Sequence, residues 1–322
     1  MSGALCAYHG VERVPADLGP TVVTMGVFDG VHSGHRALLD RVVRAAAERG
    51  VRPGAVTFDR HPVEVLAPGK APPRLTTLRR KVALLGEAGM RFVLVLRFTR
   101  QLSLTSAETF ATDVLFGALG ARAVLVGADF HFGHKAAGDV ALLARLGRPR
   151  GIDVVGVPLL GDGGEAISST RVRAELADGE VEAAARSLGR PYELRGDVVH
   201  GEGRGRALGV PTANLALPAR MALPGSGVYA GHLDPGGEAL PALVSVGTKP
   251  QFGGSRLEVE AHVLDFDGDL YGRRVGLSFE HRVRGTQARF DSVDALVARM
   301  HEDIRIGRRL LGVPAGTRAR RD

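Results

Sequence analysis

The first half of the chain alternates short apolar runs with amphipathic segments, and this alternation restricts the possible fold more than any other feature. The apolar runs are predicted strands at residues 22–25, 55–58, 92–96, 123–126 and 153–157. The amphipathic segments are predicted helices at residues 36–49, 77–88, 107–118 and 140–145. Strands that are apolar along their whole length and alternate with helices indicate a parallel sheet covered on both faces. We expect a doubly wound α/β domain that binds its ligands at the carboxyl ends of the strands.

The pattern changes after residue 189, where glycines and prolines separate short runs of strand character. These predicted strands lie at residues 193–200, 227–233, 242–246, 257–265 and 275–279, and a helix is predicted at 293–311. Short strands at this spacing are typical of an antiparallel β-barrel or sandwich. Two short predicted helices, 170–177 and 181–188, come before the change. We therefore predict two domains, residues 1–186 and 187–322.

Composition narrows the class of protein. The length of 322 residues fits two domains. A single cysteine, Cys6, excludes a framework of intramolecular disulfides. The net charge of +7 permits anionic partners such as nucleotides, phosphorylated substrates or nucleic acid. The chain shows no signal peptide and no apolar run long enough for a membrane span, so we expect a cytoplasmic protein without membrane association.

The sequence GVFDGVHSGH at residues 26–35 lies where the first predicted strand passes into the first predicted helix. Backbone N–H groups and the helix dipole at such a position favour a bound phosphate. His32 and His35 can both donate hydrogen bonds to phosphate oxygens and so stabilise charge during transfer. The alternatives are a glycine-rich turn whose histidines only cap the helix, and a metal site, for which no third ligand is evident nearby.

A second polar segment, ISSTRVR at residues 167–173, precedes another predicted helix. Three hydroxyl side chains followed by an arginine can hold a polyphosphate and neutralise its charge. An ordinary helix N-cap has the same appearance when the segment is considered alone. Its presence in one chain with the histidine motif favours the phosphate site.

These motifs, together with TFDRHP at residues 57–62 and VGADFHFG at 126–133, resemble the nucleotidylyltransferase superfamily. Within it they are similar to the FMN adenylyltransferase module of bacterial bifunctional riboflavin kinase/FAD synthetases. The resemblance implies that the FMN phosphate attacks the α-phosphorus of ATP, giving FAD and pyrophosphate with Mg²⁺ on the phosphates. The residues implied for ATP binding are Gly26, Phe28, Asp29, Gly30, His32, His35, Ser168, Ser169, Thr170 and Arg171. Those implied for the flavin side are Phe58, His61, Pro62, Asp129 and Phe130.

The segment GEGRGRALGVPTANL at residues 201–215 places a glycine-rich loop with two arginines before a hydroxyl and an amide side chain. Such a loop can fold over a nucleotide, although a long hairpin loop has the same composition. Thr212 and Asn214 supply neutral oxygens that a hard cation accepts. The segment resembles the RGRxLGxPTAN signature of riboflavin kinases, which implies Mg²⁺ at Thr212 and Asn214. The other residues implied for this ATP site are Gly201, Gly203, Arg204, Gly205 and Arg206.

Residues 257–263 alternate with period two, which places Glu258, Glu260 and His262 on one face of a predicted strand. A solvated strand face shows the same pattern. The resemblance implies that Glu260 is a general base, which takes the proton from the riboflavin 5′-hydroxyl as that oxygen attacks the γ-phosphate of ATP.

The chain departs from the family pattern in the second domain. Gln251 stands where the family usually has threonine, and Gly285 and Gln287 stand where it has arginine and glutamate, with Arg284 one residue away from the arginine position. These segments are expected to border the kinase flavin pocket. They motivate the alternative of a FAD synthetase with an impaired, regulatory or flavin-analogue-specific kinase domain.

Our leading prediction is an enzyme that converts riboflavin to FMN and then FMN to FAD, with ATP as co-substrate in both steps. The expected partners are riboflavin, FMN and ATP, and no nucleic acid. The charge of +7 also fits a nucleic-acid-binding barrel, but the predicted strands lack the combination of exposed aromatic and basic residues that such binding requires. The sequence does not predict the oligomeric state.

Overall fold

The computed structural model describes residues 4–158, 161–162, 165–201, 205, 208–251, 254–285 and 292–314. The chain divides into two compact units, Met1–Ser169 and Thr170–Asp322. This division lies before the two short helices that we assign to the first domain. The functional boundary between residues 186 and 187 therefore stays a prediction.

The first unit contains a six-stranded sheet in which all neighbouring strands are parallel. Its strands are β1 (Cys6–His9), β2 (Thr21–Met25), β3 (Arg52–Phe58), β4 (Phe92–Leu96), β5 (Ala121–Gly127) and β6 (Asp153–Val157). Their order is β1-β4-β3-β2-β5-β6. The chain extends the sheet in one direction from β2 through β3 and β4, then in the other through β5 and β6. The order therefore reverses beside β2, the position at which doubly wound sheets bind ligands.

Helices cover both faces of this sheet. They are α1 (Ser33–Glu48), α2 (Val63–Leu66), α3 (Leu78–Glu87), α4 (Ala107–Thr109), which continues as a π-helix over Phe110–Ala118, and α5 (Val140–Gly147). Successive residues of β2 point to opposite faces: Val22 belongs to a buried cluster with Leu39 of α1, whereas Val23 belongs to a second cluster with Leu143 of α5. The strands are apolar throughout because both of their faces are buried.

Polar side chains fix where several of these helices begin. Thr77 Oγ1 accepts a hydrogen bond from Arg80 N at 3.3 Å at the start of α3. Asp139 Oδ1 accepts one from Leu142 N at 2.7 Å at the start of α5. These contacts satisfy N–H groups that have no partner within the first helical turn. A two-stranded hairpin, β7 (Gly161–Asp162) with β8 (Glu165–Ala166), follows β6.

The second unit is built on an antiparallel barrel. Helices α6 (Ser169–Ala177) and α7 (Val181–Leu188) precede strands β9 (Tyr192–Val199), β10 (Ala213–Ala216), β11 (Gly227–Asp234), β12 (Leu240–Gln251), β13 (Gly254–Val263), β14 (Arg274–Phe279) and β15 (His281–Arg284), and α8 (Val293–Leu310) follows. Six strands close in the order β11-β12-β13-β10-β9-β14, because β14 pairs again with β11. β15 also pairs with β11. Ring closure leaves these six strands without a free edge.

The predicted fold class is confirmed: a doubly wound parallel sheet is followed by an antiparallel barrel with a C-terminal helix. The structure adds elements that the sequence patterns did not predict. These are the edge strand β1, the short helix α2, the β7–β8 hairpin, and the short strands β10 and β15.

Candidate active sites

Three turns of the first unit lie side by side at the carboxyl edge of the sheet. They are the β2 turn (residues 26–35), the β3 turn (residues 58–62) and the β5 turn (residues 127–133). They are adjacent because β2 lies between β3 and β5. The sheet topology therefore brings together the segments predicted to bind ATP and those predicted to bind the flavin.

The β2 turn has a backbone conformation that is unusual for its residue types. Phe28 and Val31 have φ angles of 51° and 42°, in the left-handed region, and both side chains are buried. Such conformations persist only where the surroundings enforce them, and they cluster at functional sites. The Phe28 ring packs edge-on against the ring of His35 at 5.1 Å, so its side chain supports His35 from within the protein core.

His32 and His35 form a stacked pair at the start of α1. Their ring centroids are 3.6 Å apart, with 24° between the planes. His32 Nδ1 accepts a hydrogen bond from the backbone N–H of His35 at 3.3 Å, which caps the helix. In the neutral imidazole the proton is then on Nε2, which makes that atom a hydrogen-bond donor. Helix capping and phosphate binding are thus compatible roles for this pair.

Burial lowers the pKa of His35 well below its usual value, and the neighbouring His32 and Lys81 lower it further. The ring is therefore neutral at physiological pH. Within the described part of the chain, His35 Nδ1 and Arg36 Nε are buried without a hydrogen-bond partner. Two such atoms at one helix start indicate that a polar ligand supplies the missing partners.

Asp29 has a carboxylate that holds the β2 turn in place. The side chain is buried and accepts hydrogen bonds from the backbone N–H groups of Leu75 at 3.0 Å and Thr76 at 3.1 Å. Gly30 N donates to Thr76 Oγ1 at 3.3 Å in the same region. The predicted ATP residues Asp29 and Gly30 thus connect the turn to the segment that precedes α3.

The serine segment meets the β2 turn directly. Ser169 Oγ donates to the backbone carbonyl of Asp29 at 2.8 Å. A Cβ built at Gly34 would lie 3.1 Å from both His32 Nδ1 and Ile167 O, so a larger residue would require these atoms to shift by a few tenths of an ångström. The two motifs that were predicted to share a phosphate site are therefore in contact. Thr170 and Arg171 begin the second unit, where Arg171 Nε donates to Glu175 Oε1 at 2.9 Å, and their ATP role stays a prediction.

The residues predicted for the flavin side lie in the β3 and β5 turns. The Phe58 ring packs edge-on against Phe98 at 5.2 Å, and the Phe130 ring stacks on Phe132 at 5.7 Å. Phe58 and Phe130 both pack on the same buried cluster while remaining partly exposed. His61 Nδ1 accepts from Val63 N at 3.2 Å, which orders the start of α2 just after Pro62. Asp129 is exposed at the edge of the sheet.

Lys81 is a functional candidate that the motif analysis missed. It is 6% exposed in α3, and its Nζ donates to Val27 O at 3.0 Å and to Phe58 O at 2.8 Å. Its position in the sequence offered one signal, because a lysine three and four residues before Leu84 and Leu85 falls on the apolar face of the predicted helix.

In the second unit, Thr212, just before β10, meets Glu260 on the neighbouring strand β13. Thr212 Oγ1 donates to Glu260 Oε2 at 3.1 Å. Asn214 is paired directly opposite Glu260 in the antiparallel register of β10 and β13. The structure thus brings together the predicted general base and both predicted Mg²⁺ ligands. Glu260 is half-buried, so its carboxylate is shielded without being excluded from solvent.

The chain approaches Asn214 very closely at Gly201. A Cβ built at Gly201 would lie 2.2 Å from Asn214 Nδ2, which is far too short for a real contact. A Cβ at Gly205 would lie 2.4 Å from Val210 O. Two of the predicted loop glycines are therefore required by close packing against the Thr212–Asn214 segment. Gly203, Arg204 and Arg206 lie outside the described residues.

His262, two residues after Glu260 on β13, helps to hold the Thr212–Asn214 segment in place. Its Nδ1–H donates to Pro211 O at 2.8 Å, just before Thr212. Burial lowers the pKa of His262, with Arg308 contributing, although the hydrogen bond to Pro211 acts in the opposite direction. Glu260 and His262 lie on the same face of β13, as the period-two pattern predicted.

One of the departures from the family pattern has a structural explanation. Arg284 Nε donates to both carboxylate oxygens of Asp303 at 3.0 and 2.9 Å, and Arg299 Nε lies 3.1 Å from the same carboxylate. Arg284 therefore anchors α8 to β15 and holds a nearly buried charge. Gly285 follows β15 directly. The Gln251 side chain and all of Gln287 lie outside the described residues.

Within the described ranges, no three His, Cys, Asp or Glu side chains come together in a way that could hold a metal ion. None of the helices in these ranges has both the length and the apolar character that a bilayer span needs.

Comparison with known proteins matches both halves of the chain. The FAD synthetase family profile covers residues 14–171, and the riboflavin kinase profile covers residues 188–311. The bifunctional riboflavin kinase/FMN adenylyltransferase of Escherichia coli (strain K12) is 39% identical over 95% of this chain and 96% of its own length. The Pseudomonas fluorescens protein of the same name is also 39% identical, over 94% of this chain and 96% of its own.

A solved structure gives the same result for the fold. A Streptococcus pneumoniae protein described as a macrolide-efflux protein is 30% identical, covers 94% of this chain and 98% of its own, and superposes with a TM-score of 0.86. The two family profiles and the relatives that match nearly the whole chain point to the same family. Together they confirm the predicted family, which combines FAD synthetase and riboflavin kinase domains. The chain belongs to the family of bifunctional riboflavin kinase/FMN adenylyltransferases.

Proposed function

We propose that residues 1–186 transfer an adenylyl group from ATP to FMN at the β2 turn, and that residues 187–322 transfer the γ-phosphoryl group of ATP to riboflavin at Glu260. Together the two reactions convert riboflavin into FAD through FMN. The observation that carries the first assignment is the pair of buried, unpartnered nitrogens, His35 Nδ1 and Arg36 Nε, at the helix start where His32 and His35 stack. A phosphate chain supplies an acceptor for Arg36 Nε–H, and for His35 Nδ1 in the tautomer that carries the proton there.

In adenylyl transfer, an oxygen of the FMN phosphate attacks the α-phosphorus of ATP and pyrophosphate leaves. The protein contributes mainly position and charge stabilisation. Nε2–H of His32 donates to a phosphate oxygen, and the backbone N–H groups at the start of α1 add their partial positive charge. Because His35 is neutral, it binds by hydrogen bonding and adds no positive charge of its own. The half-buried rings of Phe58 and Phe130 offer apolar surface to the isoalloxazine ring.

In riboflavin phosphorylation, the 5′-hydroxyl of riboflavin attacks the γ-phosphorus of ATP and ADP leaves. The Glu260 carboxylate accepts the proton from that hydroxyl. The hydrogen bond from Thr212 fixes the orientation of the carboxylate. The observation that carries this assignment is the convergence of Glu260, Thr212 and Asn214 on two neighbouring strands.

We include Mg²⁺ in the proposal because the donor set fits it. Mg²⁺ accepts neutral oxygen ligands and is commonly held by few protein groups together with substrate phosphates. The Thr212 hydroxyl and the Asn214 side-chain carbonyl are such ligands, and when bound with ATP the ion would offset charge on the phosphates.

We also propose a cytoplasmic location, since the enzyme consumes ATP and its one cysteine, Cys6, is an exposed free thiol.

The test is one incubation of the purified chain with riboflavin, ATP and Mg²⁺, followed by chromatography of the flavins. We expect FMN to form first and FAD to follow, and we expect chelation of Mg²⁺ to stop both steps. Conversion of added FMN to FAD without any conversion of riboflavin would contradict the kinase assignment. FMN formation without FAD would contradict the adenylyltransferase assignment.

A further inference from the structure

Lys81 is a buried cation in contact with the adenylyltransferase site. Burying an ammonium group is unfavourable unless hydrogen bonds satisfy it. Its Nζ satisfies that condition with two backbone carbonyls, Val27 O at 3.0 Å and Phe58 O at 2.8 Å. Val27 belongs to the β2 turn and Phe58 begins the β3 turn. One side chain from α3 therefore connects the turn assigned to ATP with the turn assigned to the flavin.

The hydrogen bonds that satisfy the buried Lys81 amine go to backbone carbonyls and not to the nearby carboxylates. Asp29 and Asp59 both interact with its charge through space. Asp29 accepts hydrogen bonds from Leu75 N and Thr76 N. Asp59 Oδ1 accepts one from Phe98 N at 2.9 Å, and its Oδ2 pairs with Arg60 at 2.9 Å. Lys81 thus acts chiefly as a donor to the two turns.

The two turns depend on Lys81 to different degrees. Val27 O has a second donor, since Thr57 Oγ1 also lies 3.0 Å from it. For Phe58 O, Lys81 is the side-chain donor that ties it to the β2 turn. Removal of the amine would leave Thr57, near the end of β3, bonded to Val27 O, but Phe58 O, where the β3 turn begins, would lose the side-chain donor that fixes it. The substrates bound to these turns would lose their relative position.

We propose that Lys81 is a positioning residue for adenylyl transfer: it fixes the β3 turn against the β2 turn, and so sets the distance between the FMN phosphate and the α-phosphorus of ATP. This inference rests on the proposed function of the first domain. Lys81 is nearly inaccessible to solvent, so it acts through the two turns and not by contact with substrate. A displacement of about 1 Å between reacting groups is enough to slow a reaction by about 100-fold.

The experiment compares Lys81→Met, which removes the donors, with Lys81→Gln, whose shorter side chain keeps an N–H donor. Lys70→Met is the matched control, because Lys70 is an exposed lysine of the same unit. FAD formation from FMN and riboflavin phosphorylation are measured on the same purified chains. The kinase reaction reports the amount of intact second unit, and thermal unfolding followed by circular dichroism reports whether the first unit is folded. We expect Lys81→Met to lower kcat for FAD formation by about 10- to 100-fold, with a smaller change in both KM values. We expect Lys81→Gln to recover part of that loss and Lys70→Met to match the wild type.

The possible failures are distinguishable. A Lys81→Met enzyme with wild-type kcat for FAD formation would overturn the inference while leaving the proposed function intact. So would a Lys81→Met enzyme that loses FAD formation only in proportion to the loss of folded first unit, with no recovery in Lys81→Gln, since that pattern indicates a structural role only. A wild-type chain that forms no FAD would overturn the proposed function, and the inference with it.

Discussion

Ser169 Oγ donates a 2.8 Å hydrogen bond to the backbone carbonyl of Asp29, a residue 140 positions earlier in the chain. This bond joins Ser169, the last residue of the first unit, to the turn that follows β2. Each motif alone is explained by an ordinary helix cap, but their contact is not required by capping. It places Ser169 at the turn that carries the stacked histidines, as a shared phosphate site requires.

Ser169→Ala should therefore impair FAD formation without affecting riboflavin phosphorylation. Loss of one neutral hydrogen bond costs about 1 kcal/mol, so we expect a decrease in kcat/KM of about 5- to 10-fold. Steady-state kinetics of FMN conversion measures it. Ser103→Ala is the matched control, because Ser103 Oγ also donates to a backbone carbonyl, that of Arg100, at 2.6 Å. Equal losses in the two variants would contradict a specific role for Ser169.

His35→Ala should abolish most of the adenylyltransferase activity. The change removes a ring that stacks on His32 and leaves the Phe28 side chain without its edge-on partner. Removal of one group that stabilises transition-state charge costs about 100- to 1000-fold in kcat. FAD formation from added FMN is the measurement, and riboflavin phosphorylation should persist. His9→Ala, at an exposed histidine of the same unit, should behave as the wild type.

Glu260→Gln should abolish most of the kinase activity and leave FAD formation from added FMN intact. The amide keeps an oxygen that accepts the hydrogen bond from Thr212 but cannot take a proton from riboflavin. We expect riboflavin phosphorylation to fall by about 100- to 10000-fold, the usual contribution of a general base. Glu238→Gln, at an exposed glutamate of the same unit, is the control. Wild-type phosphorylation by Glu260→Gln would exclude Glu260 as the base.

Gly201→Ala tests the close approach to Asn214. The added Cβ would lie 2.2 Å from Asn214 Nδ2, so the amide or the loop has to move. We expect a higher KM for ATP–Mg²⁺ in riboflavin phosphorylation, by about 10-fold or more if Asn214 loses a single charge-assisted contact. Gly237→Ala is the control, since nothing lies within 4 Å of a Cβ built there. Unchanged kinase kinetics in Gly201→Ala would show that Asn214 does not depend on this packing.

The long apolar strands were predictable because both of their faces are buried, which leaves runs such as 92–96 with no polar residue. The missed strands lack that signal. β1 lies at the edge of the sheet and is largely exposed, and in β10 Leu215 is the buried residue. All four residues of β15 are half-buried. Strands of this kind are determined by pairing with partners that are distant in sequence, and a local pattern does not reveal those partners.

The motif residues could be proposed as a site from the sequence alone, because phosphate chemistry favours particular residue types at short spacing. The supporting residues could not. Lys81 contacts backbone carbonyls at Val27 and Phe58, and main-chain acceptors carry no residue-specific signature. The role of Arg284 in holding Asp303 likewise depends on how α8 packs against β15, which becomes apparent only in the folded chain.

Lys81 also makes the stability of the first unit depend on pH. Burial lowers its pKa to about 8 from the ordinary value of 10.5, against the opposing influence of Asp29 and Asp59. Below pH 8 the amine is protonated in both the folded and the unfolded chain, so it contributes no pH dependence. Between pH 8 and 10.5 the unfolded chain binds more protons than the folded one, and the free energy of unfolding rises with pH.

The comparison that isolates this effect is wild type against Lys81→Met, because all other titrating groups are common to both chains. Relative to the variant, the wild type should gain roughly 2–3 kcal/mol in free energy of unfolding between pH 7 and pH 10. Urea unfolding is followed by circular dichroism at both pH values. The free energy of unfolding is taken from the transition whose midpoint the Lys81→Met change shifts. Lys70→Met should show no such pH-dependent difference from the wild type, because Lys70 is exposed. A constant difference between wild type and Lys81→Met at both pH values would mean that Lys81 keeps its ordinary pKa despite its burial.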